Sequence, residues 1–428
     1  MSATTVYRDT VDVLRGRRPL FYGWRVLMAS VLAMTVTSGL AAWANGLYVR
    51  PLEAEFGWSR AEVSIGFSAA ILVSGLAGPV IGIWIDRHGP RSAIIFGCAM
   101  TALSYLLLAS TQELWQWYLF SAINAGFRQM MFFIPMQVLI SRWFDRKRGA
   151  AMSILGTGWS LGGFLILPLL AFTIDVTDWR GGFIFSGFMA AGVVLPIALL
   201  VLRDRPEDVG TTADGEPRPA TNEPVPPVWG LTLAEAARKP LFWVLSIALM
   251  LYFYGAIGWT THIIPFYESR GLSRETAAIL LSVSSGAGIF SRLFIGFYAD
   301  RFVRFEVPAS AATALIAVGM LSLLFDAGWG GIAVFTALWV VGTSAGPLVE
   351  SLGLTRAFGL AHFATILGAV VVIETAGEIV SPSLAGAIYD RTDSYDPALV
   401  MYISTFTASA LLMALASRMR RPDPLAEV

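Results

Sequence analysis

Along most of the chain, apolar runs about as long as a bilayer is thick alternate with short polar or charged breaks. A hydrocarbon core of roughly 30 Å takes about 20 helical residues to cross. Runs of that kind, bounded by charge or by Gly and Pro, fall at 22–48, 63–85, 92–110, 115–140, 150–174, 182–202, 241–267, 277–299, 307–325, 332–354, 363–388 and 398–416, which predicts twelve transmembrane helices. The stretch 204–239 interrupts the series: rich in Pro, Glu, Asp and Thr, it has too few apolar residues to fold alone. The expected organisation is a polar N-terminal segment 1–20, a six-helix bundle 21–203, a linker 204–239, a second six-helix bundle 240–417 and a tail 418–428.

Composition agrees with lipid as the solvent: 56% of the 428 residues are hydrophobic and 14% charged, with a mean hydropathy of +0.65. Thirty Lys and Arg balance thirty Asp and Glu, so no polyanionic partner is implied, and no basic patch with interleaved aromatics points to nucleic acid. What matters is where the basic residues fall. Arg8 to Arg25, Arg87 and Arg91, Arg142 to Arg148, Arg203 to Lys239, Arg301 and Arg304, Arg356, and Arg418 to Arg421 all fall on one side of the predicted membrane. The other side has only Arg50, Arg60, Arg180, Arg270, Arg274 and Arg391, while Arg128 and Arg292 lie inside spans. Basic loops resist translocation, so both termini are expected in the cytoplasm and the chain in the inner membrane as a multi-pass protein. Residues 1–20 lack the apolar core and small-residue cleavage site of a signal peptide. Cys98 is the single cysteine and sits in an apolar run, which leaves no intramolecular disulfide. With three histidines at no metal-ligand spacing, neither a metal nor a cofactor is expected.

The two halves echo each other. Gly82-Ile83-Trp84-Ile85-Asp86-Arg87 after the second span matches Gly296-Phe297-Tyr298-Ala299-Asp300-Arg301 after the eighth, half a chain length away. Extended through Gly89 and Arg91, the first copy is similar to the loop signature GxxxDRxGxR of the major facilitator superfamily. That resemblance implies twelve helices in two pseudo-symmetric bundles, a solute site near the midplane, and alternating access by rocking. Gly82 would allow close helix approach and Gly89 a tight turn, and Asp86 would pair with a cytoplasmic helix end to hold one conformation shut. A finer resemblance is to the bacterial monocarboxylate transporter and oxalate/formate antiporter branch. It rests on Trp143-Phe144-Asp145-Arg146-Lys147-Arg148-Gly149 with the later Gly156, Gly158, Gly162 and Gly163, on Tyr22-Gly23-Trp24, Phe56-Gly57-Trp58-Ser59-Arg60 and Trp179-Arg180, and on Arg203 to Asp208. These motifs serve gating and packing and carry no substrate chemistry.

Ionisable residues at membrane depth are functional candidates because lipid penalises them. Arg292 falls where carboxylate-transporting relatives carry a substrate-binding arginine, and a guanidinium fork suits a carboxylate; the alternatives are an ion pair or snorkelling. Arg128, near the middle of the fourth span, is a second anion contact or else the partner of Glu374 or Glu378. Those two glutamates are four apart and share a helix face. Desolvation and mutual repulsion favour a shared proton, so they are candidates for proton coupling, with a structural pairing to Arg128 or Arg292 as the alternative. His262 is a further proton candidate or a hydrogen-bonded interfacial residue. Glu350, late in the tenth span, is expected near enough to the cytoplasm to be hydrated, and His88 and His362 near that surface. The eukaryotic members have an aspartate where this chain has Gly288 and a lysine where it has Trp43, so their proton relay cannot be copied here.

Neutral candidates for the solute site are Trp43, Asn45, Phe132, Phe133, Tyr254, Trp259 and Trp339, with core or lipid packing as the ordinary role of such aromatics. Pro135, Pro168, Pro196, Pro265, Pro347 and Pro382 predict kinks. The leading expectation is a monomeric, proton-coupled carrier of a small organic anion, a monocarboxylate, in contact with membrane lipid. The alternatives are a carrier for a larger aromatic or amphipathic solute such as a drug or flavin-like vitamin, and a non-transporting receptor on the same fold. No nucleophile-base constellation or phosphate loop points to an enzyme.

Overall fold

The computed structural model describes residues 21–41, 44–215, 228–302, 304–325 and 328–421. Its helices assemble into twelve spans. The first comprises Tyr22–Ala41 and Asn45–Phe56, the second Arg60–Leu76 and Gly78–His88, the third Pro90–Ala109, and the fourth Leu114–Gln129 and Phe133–Trp143. The fifth runs over Arg148–Leu161, Gly162–Ile166 and Leu167–Val176, and the sixth over Trp179–Met189, Ala190–Val194 and Leu195–Leu200. In the second half, Pro240–Ser269, Arg274–Ala299 and Glu306–Phe325 form spans seven to nine. The tenth is built from Trp329–Gly342, Gly346–Leu348, Val349–Gly353 and Leu354–Phe358; Phe363–Thr392 and Asp396–Arg418 complete the set.

Local chemistry sets the ends and the breaks. Ser59 and Glu62 form a reciprocal capping box at the start of the second span, Asp178 caps the sixth and Ser273 the eighth, each satisfying N–H groups that have no intrahelical partner. The interruptions follow the prolines. A proline ring collides with the carbonyl four residues back; for Pro168 and Pro196 that carbonyl lies in the π turns Gly162–Ile166 and Ala190–Val194, where the backbone widens. For Pro135 and Pro347 it lies in the non-helical steps Met130–Phe132 and Thr343–Ala345. The second span bends by 42° next to Pro79. Pro265 and Pro382, expected to kink their spans, sit inside unbroken helices.

Within each half, small residues bring helices together. Spans one and five meet at Gly39, Gly158 and Gly162, and Ser38 Oγ donates to the Gly158 carbonyl at 3.2 Å. Spans seven and eleven meet at Gly258, with Ser381 Oγ donating to the Tyr254 carbonyl. The two halves meet through spans two and eleven and through spans five and eight. Every glycine whose Cβ position would press on the opposite half, namely Gly75, Gly78, Gly82, Gly149, Gly156, Gly296 and Gly368, lies toward the side of the arginine-rich loops, here called the basic side; Gly46, Gly286 and Gly288 face open space. The molecule is closed on its basic side. The segment between the halves is tied down at both described ends. Asp214 accepts the N–H of Arg146 at 2.7 Å, and Leu231 N–H donates to Phe358 O at 2.8 Å while Trp229 O accepts from Leu360 N–H at 2.9 Å.

Candidate functional site

Both motif aspartates reach across to the other half. Asp86 accepts from the backbone N–H of Thr365 at 3.0 Å and from its hydroxyl, in the first turn of the eleventh span. Asp300 accepts from Gly149 N–H at 2.6 Å and Ala150 N–H at 3.1 Å, in the first turn of the fifth. Helix N-termini favour anions, so each half contributes one carboxylate that clamps the other. Burial pushes the Asp300 carboxyl up from its ordinary value, and the two N–H groups oppose that shift. Arg148, almost fully buried, adds a third bridge by donating to Thr355 Oγ1 at 3.3 Å. Gly89 turns the loop with a positive φ of 83°; Arg91 donates to the carbonyls of Ala198 and Leu199 and holds the sixth span. Arg87 and Arg301 are exposed at the basic surface.

Two turns inward from Asp300, Arg292 leaves the eighth span and crosses to the fifth, where its Nη1 donates to the Gly156 carbonyl at 2.7 Å. Its Nε is buried without a partner, no carboxylate pairs with it among the described residues, and Tyr252 of the seventh span is its electrostatic neighbour. Arg128 is likewise unpaired with any carboxylate: it donates to Asn124 Oδ1 at 3.0 Å and neighbours Tyr105, with Asn124 in turn donating to Ser104 at 2.9 Å. The pairing of Glu374 or Glu378 with either arginine, open in the sequence, does not form in this structure.

The glutamates gather instead with a third. Glu374 is within electrostatic reach of Glu350 and Glu378, and Glu350, on the π turn Val349–Gly353, is 1% exposed rather than hydrated as expected, because it packs against the fourth span at Gln137. Gln137 of the fourth span donates to Glu350 Oε2 at 3.3 Å across the interface between the halves. Sequence reasoning passed over Gln137 and Tyr252; a lone amide in the apolar run Pro135 to Ile140 was the available signal.

His262 lies about one turn outward of Glu378. Its Nε2 is 2.9 Å from the Pro382 carbonyl, which can only accept, so that nitrogen carries a hydrogen, while Nδ1 lies 3.4 Å from the Tyr395 hydroxyl, a group that can donate or accept. The residue is thus engaged in packing spans seven, eleven and twelve. The aromatic candidates divide. Trp259 is fully buried against Phe266, Phe335 and Tyr402, and Trp339 packs on Phe335 and Phe406, so both belong to the core of the second bundle rather than to a ligand surface. Tyr254 is part-buried and donates to Met401; Asn45 is part-exposed at the start of its helix. Phe132, at the break of the fourth span, stacks on Trp159 at 5.8 Å and touches Phe133. Trp43 lies outside the described residues.

Comparison with known proteins adds to this geometry. A family profile described as Major Facilitator Superfamily matches residues 26–382. An oxalate:formate antiporter of Oxalobacter formigenes is 26% identical over 405 residues, 93% of this chain and 93% of that protein. Monocarboxylate transporter 13 of Bos taurus is 25% identical over 400 residues, 92% and 87% of the two chains. Among solved structures, the E. coli fucose:proton symporter superimposes with a TM-score of 0.70 at 15% identity, covering 91% of this chain and 98% of that one. The human organic anion transporter MFSD10 reaches 0.64 at 15% identity, covering 91% and 99%.

Proposed function

The chain belongs to the Major Facilitator Superfamily, and from that premise we propose that this multi-pass membrane transporter moves a small organic anion, a monocarboxylate, by proton-coupled alternating access. The observation that carries the reading is Arg292, a half-buried side chain at the seam of the two halves with one N–H on Gly156, its Nε buried and unpartnered, and no carboxylate paired with it among the described residues. A guanidinium stays charged in any environment and grips a carboxylate with two parallel hydrogen bonds. An anion held there would touch spans five and eight together, so its binding would bias the balance between arrangements of the halves. Relatives named for oxalate, formate and monocarboxylate transport support the same class of solute.

Glu350, Glu374 and Glu378 supply the opposite need. Clustered carboxylates with no cation beside them are costly in an apolar interior, and protons relieve that cost. The reading makes Glu374 and Glu378 the coupling groups, with Arg128 a second anion contact and His262 an outer proton relay. It sets the basic side and both termini in the cytoplasm, the chain in the inner membrane as a monomer, residues 21–203 and 240–417 as the rocking bundles, and 204–239 as their linker. No catalysis is assigned. A carrier for larger aromatic solutes draws less support, since Trp259 and Trp339 are committed to packing.

The test is uptake of a panel of small mono- and dicarboxylates into liposomes under an inward proton gradient, with the parent and Arg292→Ala. Gradient-driven accumulation of a monocarboxylate that Arg292→Ala abolishes is expected. Absence of uptake for every carboxylate by folded protein would overturn the proposal.

A further inference from the structure

We propose that Gln137 and Glu350 form a proton-binding site between the two halves, in which one proton on Glu350 completes a second hydrogen bond to Gln137 and holds the basic side closed. Donors and acceptors do not balance between these two side chains. The Gln137 amide and the Glu350 carboxyl are joined by one hydrogen bond, Nε2–H of Gln137 to Oε2 of Glu350 at 3.3 Å. The other oxygens of the same two groups, Gln137 Oε1 and Glu350 Oε1, are both buried and both lack a partner. Gln137 is 3% and Glu350 1% exposed. Two acceptors cannot bond to each other, and a buried polar atom left unsatisfied is destabilising. A hydrogen on Glu350 Oε1 supplies the missing donor: the acid O–H donates to the amide carbonyl, the amide N–H donates to the acid carbonyl, and both groups are satisfied.

The surroundings fit such a site. The charges nearest Glu350 are acidic, Glu374 and Glu378 from the eleventh span. The basic groups of the neighbouring spans are engaged elsewhere: Arg148 meets the tenth span at Thr355, and Arg292 donates to the Gly156 carbonyl beside Tyr252, which packs at Gly346. Glu306 of the ninth span, near Gly353, is already held by two hydrogen bonds from Arg421. Glu350 itself rides on a π turn, an irregularity frequent at functional sites. Loss of the proton removes one of the two hydrogen bonds and leaves a bare carboxylate facing the amide oxygen, so the fourth and tenth spans lose a tie between the halves. The consequence for transport rests on the symport proposed above: a proton taken up while the basic side is closed stays on the pair until the halves part there, and then leaves to that side.

The pair can be tested apart from transport. Spin labels at Glu207→Cys, just past the end of the sixth span, and Arg418→Cys, at the end of the twelfth, both exposed on the basic side, report opening of the protein in lipid nanodiscs by electron–electron distance measurement; native Cys98 is fully buried. The parent should favour the short distance in acid and gain a longer one in alkali. Glu350→Gln, which donates and accepts without titrating, should keep the short distance in both buffers. Gln137→Leu should lose the pH response, and Glu374→Gln should retain it. A parent distance indifferent to pH, or a Glu350→Gln variant that responds like the parent, would overturn the inference. Carboxylate uptake measured in parallel separates the two proposals: uptake with a pH-indifferent distance removes the Gln137–Glu350 site and leaves the transport reading, and a pH-dependent distance without uptake does the reverse.

Discussion

Asp300 and Gly149, 151 residues apart and in opposite halves, are joined by a 2.6 Å hydrogen bond from the backbone N–H of Gly149 to the carboxylate of Asp300. The same relationship recurs between Asp86 and Thr365 at 3.0 Å. The repeated motif of the sequence thus appears in three dimensions as two carboxylates on two helix N-termini, each belonging to the half it does not clamp. Closure of the basic side is a property of the pair of halves and of neither alone.

Removing one clamp should shift the balance without unfolding either bundle. Loss of a carboxylate that caps helix N–H groups costs about 0.5–2 kcal/mol, roughly a 2- to 30-fold change in an equilibrium. Asp300→Ala is expected to enlarge the basic-side-open population by that factor, read from the distance between labels at positions 207 and 418.

Steric evidence leads to a stronger block at Gly296. A Cβ there would lie 1.6 Å from Ser153 Oγ and 2.8 Å from the Gly149 carbonyl. Gly296→Val should prevent the fifth and eighth spans from meeting, abolish transport and leave the label distance long, with the thermal midpoint of purified protein nearly unchanged because no bundle interior is disturbed.

Charge alone should not replace Arg292. Lysine keeps the charge but offers no bidentate fork, and a hydrogen bond to a charged group is worth about 1.5–3 kcal/mol. Arg292→Lys is expected to raise the KM for carboxylate uptake by roughly 10- to 100-fold, measured as initial rates in liposomes.

Trp259 separates packing from binding. Its ring lies 5.8 Å from that of Phe335 and 5.9 Å from that of Tyr402 with no exposed surface. Trp259→Ala should cost about 3–5 kcal/mol of stability, seen as a lower thermal midpoint, while the KM of the surviving folded protein stays at the parent value. A changed KM at an unchanged midpoint would return Trp259 to the solute site.

The span count, the duplicated Asp-Arg motif, and the breaks near Pro135, Pro168, Pro196 and Pro347 were legible in the sequence, because each depends on the length of an apolar run or on backbone chemistry within a few residues. The sequence also singled out Arg128, Arg292, Glu374 and Glu378, since a charge in an apolar run is visible without knowing its neighbours. Partners were another matter. That Glu350 is buried and meets Gln137, 213 residues away, that Arg128 finds Asn124 rather than a glutamate, and that Trp259 packs inside its own bundle depend on how the spans pack together. In water an amphipathic stripe tells which face of a helix turns inward; in lipid the outer face is as apolar as the inner one. The rotation of each span about its axis, and with it every partner at membrane depth, is therefore set by packing between helices rather than by the pattern along any one of them.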